Sequence, residues 1–340
     1  MVLATAAVEL LLPRRFSAAT QAGPQRDGRC LRLTGITMGT HWSLQFISRD
    51  PDDAARVQAG IEALLIALNA QLSHWDPRSA VGRYNRLPAG SWQALPADLL
   101  AVLDAAQGIA SASNGALDPT LGALVNLWGH GPAGPTRKAP AASDIANAMA
   151  CAGWSRLHRD GALLWQPGGL QLDLSAIAKG HAVDRLADWL SRHGHPHHLV
   201  EIGGELRGQG VKPDGSPWGV SIDSGIEPDA ITRIALDGLS VATSGDAFRH
   251  HEQAGERLAH TLDPRTGRPL HKAAAAVTVI HSSCGLADGW ATALTVLGPE
   301  AGLRLADQLG LAVRWQMHGD GEPGPVIDSL GWWAMIEAEP

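Results

Sequence analysis

The segment Leu286-Ala-Asp-Gly-Trp-Ala-Thr-Ala-Leu-Thr-Val-Leu-Gly298 sets a carboxylate, Asp288, and a hydroxyl four residues on, Thr292, inside an otherwise apolar run. Read as a helix, the run puts residues i and i+4 on one face, so both oxygens point the same way. Hard oxygen donors on a rigid element suit Mg2+, which commonly takes one or two protein carboxylates and completes its shell with waters and substrate phosphates. The plain alternative is a helix whose polar edge meets solvent, and only the rest of the chain decides between the two.

Two other segments have a composition that core packing does not explain. Leu172-Asp-Leu-Ser-Ala-Ile-Ala-Lys-Gly180 reads as an apolar strand running into small residues and a Lys, followed by Val183, Leu186 and Leu190 at helical spacing. A strand, a turn of small residues and a helix start let backbone N–H groups approach a ligand closely, and with Lys179 they attract phosphate. The other is Ser240-Val-Ala-Thr-Ser-Gly-Asp246 with His260-Thr-Leu-Asp-Pro-Arg-Thr-Gly267. Asp-Pro-Arg-Thr-Gly is ordinary turn chemistry. His260, three residues before Asp263, is less ordinary, because His is the side chain best suited to proton transfer near neutral pH.

With these residues the chain resembles the FAD:protein FMN transferases, the ApbE family. The resemblance runs in order through Thr37-Met-Gly-Thr40, Leu72-Ser-His-Trp-Asp-Pro-Arg-Ser79 with Arg83-Tyr-Asn85, and Gly115-Ala-Leu-Asp-Pro-Thr120 with Leu124-Val-Asn-Leu-Trp-Gly129. It continues through Leu172 to Gly180, Val200-Glu-Ile-Gly-Gly-Glu205, Val241 to Asp246, His260 to Gly267 and Leu286 to Leu294. The resemblance implies an α+β fold of mixed sheets flanked by helices, with the ligand in a cleft between two lobes. It implies a cation, Mg2+ with Mn2+ as the alternative, held by Asp288, Thr292 and the backbone carbonyl of Ala176. Some relatives place a carboxylate immediately before the Thr, where this chain has Ala291. FAD, the substrate, would be contacted by Met38, Trp75, Ala116, Leu117, Asp118, Asp173, Lys179 and Leu262. Plainer roles for two of these are a core position for Met38 and a turn cap for Asp118. His181 and Ala247 stand where relatives often carry an aromatic residue.

In the family reaction a Thr or Ser hydroxyl of a target flavoprotein attacks the FMN-side phosphorus of FAD, and AMP leaves. His260 is the candidate proton acceptor, oriented by Asp246 or Asp263, and Lys179 the second catalytic candidate, stabilising charge on the pyrophosphate. The acceptor would carry the short motif Asp-x-Ser/Thr-small-Ala-Thr. Two other readings stay open: an FAD pyrophosphatase that uses water as the nucleophile, and a non-catalytic FAD-binding protein.

A chain of 340 residues without a Ser/Gly linker or charge block reads as one composite domain, here 29 to 340, preceded by an irregular extension over 1 to 28. A net charge of −7 with no Lys/Arg-rich run argues against a nucleic-acid surface. Cys30, Cys151 and Cys284 are odd in number and too far apart for a zinc motif, so inert thiols are expected. His193-Gly-His-Pro-His-His198 reads as a solvated turn, with adventitious transition-metal binding as the alternative. Residues 2 to 13 are apolar but interrupted by Glu9, no basic region precedes them, and no lipid-accepting Cys follows. The expectation is a cytoplasmic protein, the periplasmic side of the inner membrane being the alternative, with no membrane-spanning helix.

Helices are expected over Pro51 to Leu72, Asp98 to Ala110 and Pro299 to Leu309, the last closed by Gly310. Strands are expected over Trp42 to Ile47, Leu170 to Leu174, His198 to Ile202, Ser240 to Thr243, Ala275 to Ile280 and Leu311 to Trp315.

Overall fold

The computed structural model describes residues 7–136, 138–222, 230–246, 250–253, 256–271, 273–319 and 324–338. Strand β1 (Ala7–Pro13) and helix α1 (Ala18–Gln21) lead into the hairpin β2 (Arg29–Thr37) and β3 (Thr40–Ser48). Helices α2 (Asp53–Leu72) and α3 (Ala80–Tyr84), strand β4 (Trp92–Ala94) and helices α4 (Ala97–Ala112), α5 (Gly122–Leu127) and α6 (Ala142–Cys151) follow, then the short strands β5 (Arg159–Asp160) and β6 (Leu163–Trp165). Helix α7 (Ala178–Arg192) precedes β7 (His198–Ile202), β8 (Glu205–Gln209), β9 (Trp218–Ser221), β10 (Ala230–Leu236) and β11 (Leu239–Ser244). Strands β12 (His250–Gln253), β13 (Glu256–Asp263), β14 (Arg268–His271) and β15 (Ala276–His281) come next. Helix α8 (Cys284–Leu309), β16 (Ala312–Gln316), β17 (Val326–Asp328), α9 (Leu330–Met335) and β18 (Ile336–Ala338) complete the order.

The central sheet is antiparallel with order β17-β16-β15-β11-β8-β7-β3-β2. Side chains alternate across a strand, and here the alternation feeds two cores. Val277 and Val279 of β15 and Val313 and Trp315 of β16 join the main core, with Leu186 of α7 and Ala287 and Leu294 of α8. Their neighbours Ile280 and Ala312 face the other way, into a second core with Leu11, Val220, Ile234, Leu236 and Trp332. That second core lies against a mixed four-stranded sheet, β18-β1-β10-β9. Because both faces are covered, β15 is buried at five of its six positions, a near-continuous apolar run. Two three-stranded sheets, β12-β13-β14 and β4-β6-β5, complete an α+β architecture.

Most expected elements form, and four expectations need correction. Residues 1 to 28 are not irregular throughout, since β1 and α1 lie within them; β1 finds its partners, β10 and β18, more than two hundred residues along the chain, beyond any local pattern. Leu170 to Leu174 is not a strand. Its backbone is instead satisfied piecemeal: Asn85 both donates to the Leu172 carbonyl (2.9 Å) and accepts its N–H (2.7 Å), while the Asp173 N–H donates to the Pro119 carbonyl (2.9 Å). Pro299 to Leu309 is not a separate helix but the second half of α8, bent where Gly298 takes φ 74° and Pro299 restarts the helix. Finally, His195, His197 and His198 are buried rather than solvated. His198 opens an inner strand and its Nδ1 meets the His195 carbonyl at 2.8 Å, and His197 Nδ1 accepts the Val211 N–H. No group of three or more His, Cys, Asp or Glu arranged to hold a metal occurs among the described residues.

Candidate active site

Helix α7 begins with no side-chain cap from the residue that precedes it, Ile177. The Gly180 N–H in its first turn donates to Asp288 Oδ2 of α8 at 3.0 Å. This close meeting needs glycine: a Cβ at 180 would lie 2.3 Å from the Cys284 carbonyl oxygen and 2.8 Å from the Asp288 Cβ. The two helices therefore touch backbone to backbone, with Asp288, 5% exposed, at their seam.

Lys179 Nζ lies 2.8 Å from Glu205 Oε1 and 3.7 Å from Asp288 Oδ1. Burial pushes the Glu205 carboxyl up to about 7, opposed by Lys179 and reinforced by the Asp288 charge. Burial also raises Asp288, against the stabilising pull of Lys179 and the Gly180 N–H. One ammonium thus faces two buried carboxylates, and Glu205 Oε2 meets no hydrogen-bond donor among the described residues. Two buried carboxylates beside one ammonium fit an added cation. Thr292 is half-buried one turn beyond Asp288 on α8, and Ala176 lies in the turn leading into α7, so the three candidate cation donors come from the two elements that meet at the seam.

Glu205 is the member of this cluster that motif reading left without a role. Gly203 (φ 62°) and Gly204 (φ 103°) form the two-residue link that pairs Ile202 with Glu205 across the β7/β8 hairpin. Cross-strand partners point to the same side. A carboxylate opposite a core Ile implies a buried cationic partner, and that signal was present in Glu-Ile-Gly-Gly-Glu205.

The turn before α7 carries Asp173. Its Oδ1 accepts both the Ser175 N–H (2.8 Å) and the Ser175 hydroxyl (2.6 Å). Its buried Oδ2 has no hydrogen-bond donor among the described residues, His74 Nε2 being 3.7 Å away. An unsatisfied buried carboxylate oxygen suits a ligand N–H or hydroxyl. Asp118 differs, because its Oδ1 takes the Thr120 N–H and hydroxyl and its Oδ2 the Trp154 N–H at 3.0 Å. Burial still raises its carboxyl, against those three hydrogen bonds.

Met38 and Gly39 are the two central residues of the β2/β3 hairpin, and both have positive φ, 49° and 74°. Such turns favour Asn or Gly, so a Met there is a strained choice, and its half-buried side chain packs against the main core, as its plainer role would have it. Trp75 is 58% exposed beside His74, with ring centroids 5.5 Å apart. Ala116 and Leu117 belong to the main core and Leu262 to a third core with Leu124 and Trp128.

His260 lies half-buried on β13, a strand that packs against α8. Of its two candidate orienters, Asp263 is held by Arg265 through Nε (2.8 Å) and Nη2 (2.9 Å), and Asp246 bonds to His318 Nε2. Arg265 also donates to the Val296 carbonyl, which ties the β13/β14 turn to the helix that carries Asp288. His181 meets Asp98 at the start of α4 at 2.9 Å, and Arg185 binds the same oxygen. Ala247 lies outside the described residues.

The seam, with a half-buried Lys between two buried carboxylates, is held in an α+β fold of mixed sheets flanked by helices. Residues 38–315 match the ApbE family, and the chain belongs to it. The chain is 36% identical over 290 residues to an FAD:protein FMN transferase of Vibrio cholerae, covering 84% of this chain and 87% of that one. It is 33% identical over 289 residues to the Escherichia coli K12 protein of the same name, covering 83% and 82%. The apo crystal structure of the Pseudomonas stutzeri flavinyl transferase ApbE superposes with a TM-score of 0.84 at 40% identity, over 91% of this chain and 97% of that one. The flavin transferase ApbE from Vibrio cholerae gives 0.82 at 32% identity, over 91% and 99%.

Proposed function

We propose that this protein transfers FMN from FAD to a Thr or Ser hydroxyl of an acceptor flavoprotein, in a Mg2+-dependent reaction that releases AMP. The observation that carries the reading is the cluster of Lys179, half-buried, with the buried carboxylates Glu205 and Asp288. Asp288, Thr292 and the Ala176 carbonyl would hold the Mg2+. When bound, the cation neutralises charge on the pyrophosphate. Mn2+ is the alternative ion.

Lys179, pinned by Glu205, supplies fixed positive charge for the phosphate oxygens. The open Oδ2 of Asp173 accepts from the nucleotide, and the exposed Trp75 ring gives a stacking face. His260 takes the proton of the acceptor hydroxyl as its oxygen bonds to the FMN-side phosphorus. The bond from that phosphorus to the bridging oxygen breaks, and AMP departs with that oxygen. The acceptor segment reads Asp-x-Ser/Thr-small-Ala-Thr.

Incubating the protein with FAD, Mg2+ and a peptide of that motif, and weighing the peptide, tests the proposal. Wild type adds the mass of FMN and releases AMP; EDTA or Asp288→Asn nearly abolishes both. Metal-independent turnover overturns the assignment of Asp288, and free FMN with an unchanged peptide makes the protein a hydrolase.

The proposal includes a cytoplasmic location. The periplasmic side of the inner membrane is the alternative. Fractionation of cells producing the full chain tests this.

A further inference from the structure

The α7/α8 seam is tied at two points, and the exchange is mutual. Asp288 of α8 accepts an N–H from the first turn of α7. Asp184 of α7 does the same for α8: its Oδ1 accepts the Cys284 N–H at 2.9 Å, and its Oδ2 accepts the Gly285 N–H at 3.0 Å and the Ser283 hydroxyl at 2.8 Å. A further bond from Arg207 Nη1 of β8 to Oδ1, at 2.7 Å, fixes the carboxylate from the sheet side. Ser283 itself caps α8 by accepting the Leu286 N–H. We infer that Asp184 is a positioning residue for the candidate cation site: by gripping three donors at the start of α8, it sets the rotation and depth of the helix, and hence where the Asp288 and Thr292 oxygens stand relative to Ala176 and Lys179.

Asp288 follows Cys284 by one turn, so a shift of that first turn passes straight to its carboxylate. Residues that hold metal ligands in place change affinity by about 10- to 100-fold when altered, although they never touch the ion. Asp184→Asn keeps the side chain's size but puts an NH2 group against donors. The start of α8 loses an acceptor.

The inference rests on the reading of Asp288 as a cation ligand, and the test separates the two. Mg2+ is titrated calorimetrically into wild type, Asp184→Asn and Asp288→Asn, and thermal midpoints are recorded alongside. The expected result is measurable Mg2+ binding by wild type, none by Asp288→Asn, and binding about 10-fold weaker by Asp184→Asn. In the FAD assay the Asp184→Asn protein should then need more Mg2+ for half-maximal rate and regain most of its kcat when Mg2+ is saturating. A lowered midpoint with unchanged Mg2+ affinity makes Asp184 merely structural and overturns the inference. Mg2+ binding that survives in Asp288→Asn overturns the reading beneath it, and the inference with it. Should Asp184→Asn fail to fold, Ser283→Ala removes one of the three donors, and undiminished Mg2+ affinity there is equally decisive against the inference.

Discussion

Replacing Gly180 by Ala tests whether the helix seam and the chemistry are one structure. A Cβ at 180 would lie 2.3 Å from the Cys284 carbonyl oxygen, 2.7 Å from its carbon and 2.8 Å from the Asp288 Cβ. Relaxed carbon contacts need about 3.5 to 4.0 Å, so α7 and α8 must part by about 1 Å. The obstacle is backbone and cannot rotate away. Overpacking of this kind costs about 1 to 3 kcal/mol, and the better helix propensity of Ala returns about 0.5 to 1 kcal/mol. A net loss of about 0.5 to 2 kcal/mol is expected. The same 1 Å would stretch the bond from the Gly180 N–H to Asp288 from 3.0 Å out of hydrogen-bonding range. Misplacement on that scale reduces a rate by about 100-fold. Urea unfolding and FAD consumption are measured on Gly180→Ala beside Gly108→Ala. Gly108 lies in α4 with open space where its Cβ would go, so its variant should gain about 0.5 to 1 kcal/mol and keep its rate. If Gly180→Ala matches wild type in stability, the tight seam is refuted; if it loses stability but keeps its rate, the link between seam and site is refuted.

His260→Ala should still bind FAD but transfer FMN about 10²- to 10⁴-fold more slowly, as expected for a lost general base. Equilibrium dialysis with FAD and single-turnover kinetics with saturating acceptor check both halves, and an unchanged rate assigns the proton elsewhere. The buried histidines should make the fold acid-sensitive. Burial lowers His198 from 6.5 to about 4, against the raising effect of its bond to the His195 carbonyl, and burial lowers His195 and His197 as well. Because the folded state resists a proton that the unfolded chain accepts, the stabilising contribution is complete above about pH 6.5 and falls away toward pH 4, by about 3 kcal/mol for His198 alone. Urea midpoints between pH 4 and 7 should fall less steeply for His198→Gln than for wild type, and equal slopes would remove His198 from the account.

Several parts of the site were legible because they depend on short-range pattern. The small residues before Lys179 announce a tight approach to a helix start, and the Asp288/Thr292 spacing places two oxygens on one helix face whatever that helix packs against. Gly310 ends α8 in the left-handed conformation that its position suggested, with φ 67°. The strand expected over Leu170 to Leu174 failed because apolar residues at that density fit any buried extended segment. What pairs with the backbone is decided by Asn85 and Pro119, distant in sequence.

The sequence by itself determined the family, the residue types of the candidate site other than Glu205, and five of the eight strands of the main sheet, since these follow from local periodicity and from motifs whose spacing is local. Only the tertiary structure decided who meets whom. Glu205 became the partner of Lys179 because a Gly-Gly turn folds β8 back beside β7. His195, His197 and His198 became core rather than surface because β7 is an inner strand. Residues 7–13 became a sheet strand because β10 and β18 supply hydrogen bonds on both edges. In each case the deciding contact joins residues far apart in the chain. Such contacts form only once the loops between them are closed and the apolar faces buried, and no window of sequence contains both partners.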